Sequence, residues 1–327
     1  MIKIQLPIKK RVLILAVSEA GIIFIQELVN QGKPVNEIFL VVDSVRIPKN
    51  LNLLPDGVVI YYLDAQDGES LQLIADKENA NVCCVFAWYA ILQKRFIDSF
   101  GGCIFNMHFG SLPLFRGAGG FSWQVLNGAE ELGAFIHQLT PKVDAGAIVC
   151  SVESKIPVSE PYPKDFIDLS IGIARAVSIE FARMLHVSHF FDAKEQDESL
   201  AEYFPKLTTA ENGKIDFRCL SQEVIRFIRA FSYPYAGASF NYEGENIHVY
   251  RAKLIKTGIS RHPFCVGLIV NRSACGLHVM LRDGVIALQD FRSVKGDRIE
   301  CEKFRIGSRV FNSQQELEEA LLYRPKV

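Results

Sequence analysis

The chain has no C-x-x-C pair among its eight cysteines and no apolar run near the roughly 18 residues needed to span a bilayer. It also has no G-x-G-x-x-G turn after a strand. The first absence argues against a zinc site or a disulfide framework. Cys83, Cys84, Cys103, Cys150, Cys219, Cys265, Cys275 and Cys301 fall mostly inside apolar segments, as reduced core thiols do in a cytosolic protein. The second absence, with no signal-peptide apolar centre in residues 1–11, gives the expectation of a soluble, cytoplasmic chain that makes no membrane contact. The third removes the pyrophosphate cradle of nicotinamide and flavin enzymes. An excess of either charge is missing too. Thirty-six Lys and Arg against 37 Asp and Glu leave −1, so there is no general basic field for nucleic acid.

What is present is enough apolar sequence for two cores in 327 residues. The first two-thirds alternates β-rich runs with amphipathic stretches: "RVLILAV", a helix over 19–31, "IFLVVD", "VVIYYL", a helix over 69–77, "VCCVFAW" and "GCIFNMH". Unbroken apolar strands alternating with helices predict an α/β domain, a doubly wound, Rossmann-like parallel sheet. A helix over 164–185 follows, and then the charged stretch "FDAKEQDESLAEYF", which reads as a linker ending near Pro205. Beyond it, one amphipathic helix ("SQEVIRFIRAF") precedes short strands at near-regular spacing, which predicts a smaller β-rich, OB-like domain. The expected domains are therefore 1–204 and 205–327.

The stretch "FNMHFGSLPLFRG" ends a buried strand in two polar side chains, Asn106 and His108, on the same face. Ligands of open α/β sheets bind outside the carboxyl ends of the strands, so both face the crevice. Further on, "LTPKVDAGAIV" sets Asp144 in a loop whose turn Gly146 permits. An amide can donate to a carbonyl oxygen that gains charge, a near-neutral imidazole can move a proton, and a carboxylate can orient it. Such a set suits attack of an amine on a carbonyl. With no Ser or Cys in a nucleophile elbow, direct transfer is favoured over a covalent enzyme intermediate. Taken singly, a strand-end His and an Asp before a Gly are common structural residues.

"FNMHFGSLPLFRGAGGFSWQVLNG" followed by "LGAFIHQLTPKVDAGAIV" resembles the core of the formyltetrahydrofolate-dependent formyltransferases, with their Asn-x-His strand end, Arg-Gly loop and later Asp-x-Gly. "AWYAILQKRFID" is similar to the family's folate-side loop. "KIDFRCLSQEVIRFIRAFSYPYAGASF" resembles the carboxyl-terminal domain of methionyl-tRNA and many sugar N-formyltransferases. Leu112-Pro113 is one Leu short of the usual loop, or has Leu114 displaced, and Phe135 stands where a small hydroxyl residue is common. The resemblance implies formyl transfer from 10-formyltetrahydrofolate to a primary amine, with Asn106, His108 and Asp144 catalytic and no metal. It implies folate contacts along Trp88, Tyr89, Ala90 and Leu92, and along Leu139, Val143 and Asp144, with core packing as the other reading of Trp88 and Tyr89. Ser111, Arg116, Gly117, Arg226 and Arg229 are the implied substrate contacts; for Arg226 and Arg229 a solvated helix face is the alternative.

Three features favour a nucleotide-linked (dTDP- or GDP-) amino sugar, as used for surface polysaccharide, over initiator tRNA. The net charge is near zero, and "DSVRIPKNLNLLPDG" carries only Arg46 and Lys49 where tRNA enzymes have a basic insertion. "GAFIHQLTPKVDAGAIV", His137 included, is similar to the segment in amino-arabinose formyltransferases. Methionyl-tRNA, another amine such as hydroxyornithine, and a non-enzymatic folate or nucleotide binder are the alternatives. A homodimer, with no nucleic-acid partner, is the expected state.

Overall fold

The computed structural model describes residues 1–118 and 120–325. In chain order its elements begin with β1 (Ile2–Gln5), β2 (Val12–Ala16), α1 (Glu19–Asn30), β3 (Ile38–Asp43), β4 (Val59–Leu63), α2 (Gly68–Lys77) and β5 (Val82–Phe86). They continue with α3 (Lys94–Ser99), β6 (Ile104–Phe109), α4 (Gly120–Leu126), β7 (Glu131–Gln138), β8 (Ile148–Lys155), α5 (Pro163–Val187) and β9 (Phe190–Ala193). The remainder comprises α6 (Thr209–Asn212), α7 (Ser221–Ala230), β10 (Ala238–Tyr242), β11 (Glu245–Thr257), β12 (Ile269–Ser273), β13 (Gly276–Met280), β14 (Gly284–Ser293), β15 (Arg298–Ile299) and α8 (Gln314–Leu322).

Seven strands form one sheet in the order β4-β3-β2-β5-β6-β7-β8. The first five are parallel, as their unbroken apolar runs predict, and alternate residues of each strand enter opposite layers. Val12, Ile14 and Ala16 face the layer of α1 and α5, whereas Leu13 and Leu15 face that of α2 and α3. The expected doubly wound parallel sheet is present, and two further strands extend it at one edge. β7 and β8 run antiparallel, and β7 lies against β6 with His137 opposite Asn106 and Phe135 opposite His108. A long connection from β6 through α4 delivers β7 in the reverse direction, and strand direction leaves no mark in an apolar run.

The strand order reverses between β2 and β5, so a crevice opens beyond their carboxyl ends. β6 ends beside it, which places Asn106 and His108 near the carboxyl end of that strand. The stretch read as a linker is partly sheet: β9 pairs with β1 across almost the whole first domain. Beyond Arg218, β10–β14 and β15 form an antiparallel sheet. Segment 309–311 bridges its two edges through Asn241 to Phe311 and Leu268 to Arg309, giving a barrel-like wrap. α7 packs on α4, where the buried Ser122 hydroxyl donates to the Ala230 carbonyl at 2.7 Å. Among the described residues no helix is long and apolar enough to cross a membrane.

Phe181 of α5 is fully buried, with ring centroids 5.4 Å from Phe24 and Phe105 and 5.6 Å from Phe191. It joins α1, α5, β6 and β9. Phe181→Ala is expected to destabilise the chain by about 3–5 kcal/mol, the usual cost of an emptied aromatic site, read as a fall in the urea midpoint. A midpoint within experimental error of the parent would contradict this packing.

Candidate active site

Asp144 occupies the turn after β7 with φ at +48°, a conformation uncommon for a residue with a side chain. What holds it there is the path of the chain. A Cβ at Gly146 would lie 1.7 Å from the Gln138 carbonyl oxygen, so the turn closes only because residue 146 has none. The closure brings the Asp144 carboxylate back over the end of β6. One oxygen, Oδ2, accepts from the Gly117 amide at 2.8 Å and lies 3.5 Å from His108 Nδ1. The other, Oδ1, lies 3.4 Å from both Asn106 Nδ2 and His137 Nε2.

The three residues singled out in the sequence therefore meet, and a fourth joins them. His137, 1% exposed, sits 3.2 Å from Asn106 Nδ2 through its Nε2. Its Nδ1 lies 2.9 Å from the Gln138 carbonyl, and its Nε2 faces both Asn106 Nδ2 and Asp144 Oδ1. The sequence reading noted His137 without assigning it to the site. Its position opposite Asn106 follows from the antiparallel register, which a sequence does not display.

His108 Nε2 lies 2.6 Å from the Phe115 carbonyl. A neutral imidazole can donate to Phe115 or to Asp144 but not to both. Burial pushes the His108 imidazole below its ordinary value; Asp144 opposes that shift and His137 adds to it. Burial also works against charge on Asp144. Its hydrogen bonding with His137, the proximity of both histidines and the Gly117 amide outweigh that, and the carboxyl falls from 3.8 to about 2. The site thus sets a largely buried carboxylate beside a His108 imidazole that burial holds toward its neutral form.

The other expected contacts divide. Gly117 donates to Asp144, and Ser111 lies on the same loop, 3.4 Å from Glu153. Arg116 is buried, with its guanidinium committed to Gln196 and to Glu198, so it is turned toward the segment after β9. Trp88, Leu92 and Leu139 are half-buried against the α2–α3 layer. Ala90 is buried and Val143 exposed. The Tyr89 hydroxyl donates to Asp43 at 3.0 Å, and the Arg46 guanidinium lies 3.9 Å from its ring centre. The Trp88 indole N–H is buried without an acceptor among the described residues.

Arg226 and Arg229 do not converge. Arg229 is buried against Glu160 at 3.6 Å. Arg226 lines a separate cavity of about 530 Å³ with Lys214, Phe227 and Leu317, and none of the residues around Asp144 borders it.

An amide, two imidazoles and a carboxylate thus meet at the carboxyl end of a strand of a Rossmann-like sheet. The family model described as formyl transferase matches residues 49–164, and that described as formyl transferase, C-terminal domain, matches residues 207–309. The methionyl-tRNA formyltransferase of Pseudothermotoga lettingae is 31% identical over 218 residues, 66% of this chain and 69% of that protein. Its counterpart in Chlorobium limicola is 28% identical over 276 residues, 83% and 84% of the two chains. Among solved structures, an N-formyltransferase of Helicobacter canadensis, in complex with folinic acid and dTDP-3-aminofucose, superimposes with a TM-score of 0.60 at 16% identity, covering 86% of this chain and 99% of that one. A 4-N formyltransferase of Francisella tularensis gives 0.56 at 15% identity over 72% and 95% of the chains, and at such identities the likeness is one of fold. The chain belongs to the formyl transferase family, and it is an enzyme that transfers formyl groups.

The electrostatics make a direct prediction. The His108 ring should titrate below pH 6.5 by NMR, and in Asp144→Asn lower still, because the carboxylate that favours the imidazolium is gone. A midpoint above 6.5 in the parent, or an upward shift in the variant, would contradict the geometry.

Proposed function

We propose that the enzyme transfers the formyl group of 10-formyltetrahydrofolate to the amino group of a nucleotide-linked amino-deoxy sugar. The convergence of Asn106, His108 and Asp144 supports the chemistry. The folate supplies the formyl group on N10 and leaves as tetrahydrofolate. Its pteridine would lie against Trp88, Tyr89, Ala90 and Leu92, with Leu139 and Val143 on the other side. The unpartnered Trp88 N–H fits this assignment, since it offers a buried donor to a ring that carries acceptors.

In this reading Asn106 uses one amide hydrogen on His137 or Asp144 and offers the other to the formyl oxygen as it gains charge. Asp144 holds the His108 proton on Nδ1, so that Nε2 can take the proton of the attacking amine and pass it to N10 as the bond between the formyl carbon and N10 breaks. Nε2 is then facing the position held by the Phe115 carbonyl, and that carbonyl must give way as the amine arrives. The loop carrying it is bounded by Gly110 and Gly117, both at positive φ.

For the acceptor, the observation that carries the reading is charge. The net charge is −1, and of the two cations between β3 and β4, Arg46 is engaged on Tyr89. A diphosphate needs few cations, whereas a tRNA needs a basic surface. The family relatives named as methionyl-tRNA formyltransferases favour Met-tRNA as the second reading.

Two kinetic outcomes are expected. Asn106→Ala should lower kcat about 100-fold with KM little changed, and His108→Asn should be at least as damaging. Near-parental kcat in either folded variant would refute these roles. With 10-formyltetrahydrofolate as donor, KM for the preferred dTDP- or GDP-linked amino sugar should rise by less than about tenfold between 50 and 200 mM salt, and Met-tRNA should be a poor substrate at both. Efficient Met-tRNA formylation that collapses with salt would replace the sugar by the second reading.

A further inference from the structure

Residues 194–204, which join the two domains, lie across the site. Lys194 exchanges two backbone hydrogen bonds of 2.8 Å with Ile148, just past the Asp144 turn. At the other end, the Glu202 amide donates to the Pro113 carbonyl, the Arg116 amide to Glu202 and the Phe204 amide to Arg116, at 2.8–3.2 Å. The segment is thus pinned to both loops that surround the carboxylate. At Gly117 the approach is so close that a Cβ would lie 2.3 Å from the Phe204 carbonyl oxygen.

Between these anchors, residues 194–200 are exposed except for Gln196, which is half-buried. Its Nε2 donates to the carbonyls of both Asp144 and Gly146, each at 2.8 Å. Among the described residues no other group donates to either oxygen. Its Oε1 accepts from Arg116 Nε at 3.1 Å and Nη2 at 2.9 Å. Arg116 also pairs with Glu198, which reaches Lys142 two residues before Asp144. One neutral amide therefore holds the two carbonyls that flank Ala145, in a turn whose first residue has a left-handed backbone.

We propose that Gln196 is a positioning residue for the reaction: it fixes the Asp144 turn, and through it the direction of the carboxylate toward His108 and Asn106. The proposal rests on the catalytic reading of Asp144 given above. A carboxamide suits the task, because it both donates to carbonyls and accepts from a guanidinium without adding charge beside a buried carboxylate. Glutamate would keep the bond from Arg116 and lose both donations to the turn. The chemistry is also precise enough to need such support, since displacements near 1 Å at a reacting group cost up to about 100-fold in rate.

The test compares Gln196→Ala and Gln196→Glu with the parent and with Asp144→Asn, using 10-formyltetrahydrofolate and whichever of an amino-sugar nucleotide or Met-tRNA is turned over. Both Gln196 variants should lose at least about tenfold in kcat, with KM for folate and acceptor changed less than about threefold. In the Asp144→Asn background, Gln196→Ala should add less than about threefold, because the group it positions is already gone. Hydrogen exchange in the absence of substrate should be faster by about tenfold over 143–147 and unchanged in α5. If Asp144→Asn is fully active, the catalytic reading fails, and this inference with it. If Asp144→Asn is inactive while the Gln196 variants keep parental kcat and exchange, the inference alone is overturned, as it is if the two losses multiply in full.

Discussion

Everything around the site depends on one buried carboxylate having nowhere else to go. Asp144 is ionised in a setting that disfavours charge, and among the described residues no Lys or Arg pairs with it directly. It is held by an amide N–H, a carboxamide and two imidazoles. Such an arrangement keeps the charge available to a neighbouring proton, where an Arg or Lys partner would quench it. The cations that would do so are close by but occupied, with Arg116 and Lys142 both drawn to Glu198.

Rigidity comes from two directions. The parallel strands fill both layers of the domain with apolar side chains, so the ends of β5 and β6 are fixed as parts of a close-packed core. The loops above them have no such core. Their order is supplied by hydrogen bonds to the interdomain segment and by glycines at contacts too close for a Cβ. The site thus stands on one rigid side and one hydrogen-bonded side. On the second side the Phe115 carbonyl covers His108.

How much of this was legible in the sequence depends on the kind of signal. The strands and the helices α1, α2 and α5 were readable because continuous apolar runs and helical periodicity are local properties. Asn106, His108 and Asp144 were legible chiefly through the resemblance to the family, since a strand-end His and an Asp near a glycine are by themselves common structural residues. The reversal of β7 was not, since an apolar strand reads the same in either direction; His137 was missed as a site residue for that reason. Gln196 was hidden differently. It lies in a polar, charged stretch whose composition matches a loose connection, and its role comes only from the carbonyls of a turn some fifty residues earlier in the chain. Arg226 and Arg229 looked like one basic face because they are three residues apart, but one points to Glu160 and the other to a different cavity.

The pairing of β1 with β9 bears on how the chain leaves the ribosome. Ile2 is matched to Ala193, so β1 waits during synthesis for almost the last segment of its own domain. At synthesis rates of about 5–20 residues per second, that interval is on the order of ten to forty seconds. During it, "IKIQ" is an unpaired strand, and alternation of apolar with Lys and Gln side chains keeps it from being a sticky one. The same pairing brings residue 194 beside Ile148, at the start of the segment that is hydrogen-bonded over the Asp144 turn. A chain not yet made past residue 193 therefore lacks Gln196 and the two bonds it gives to that turn.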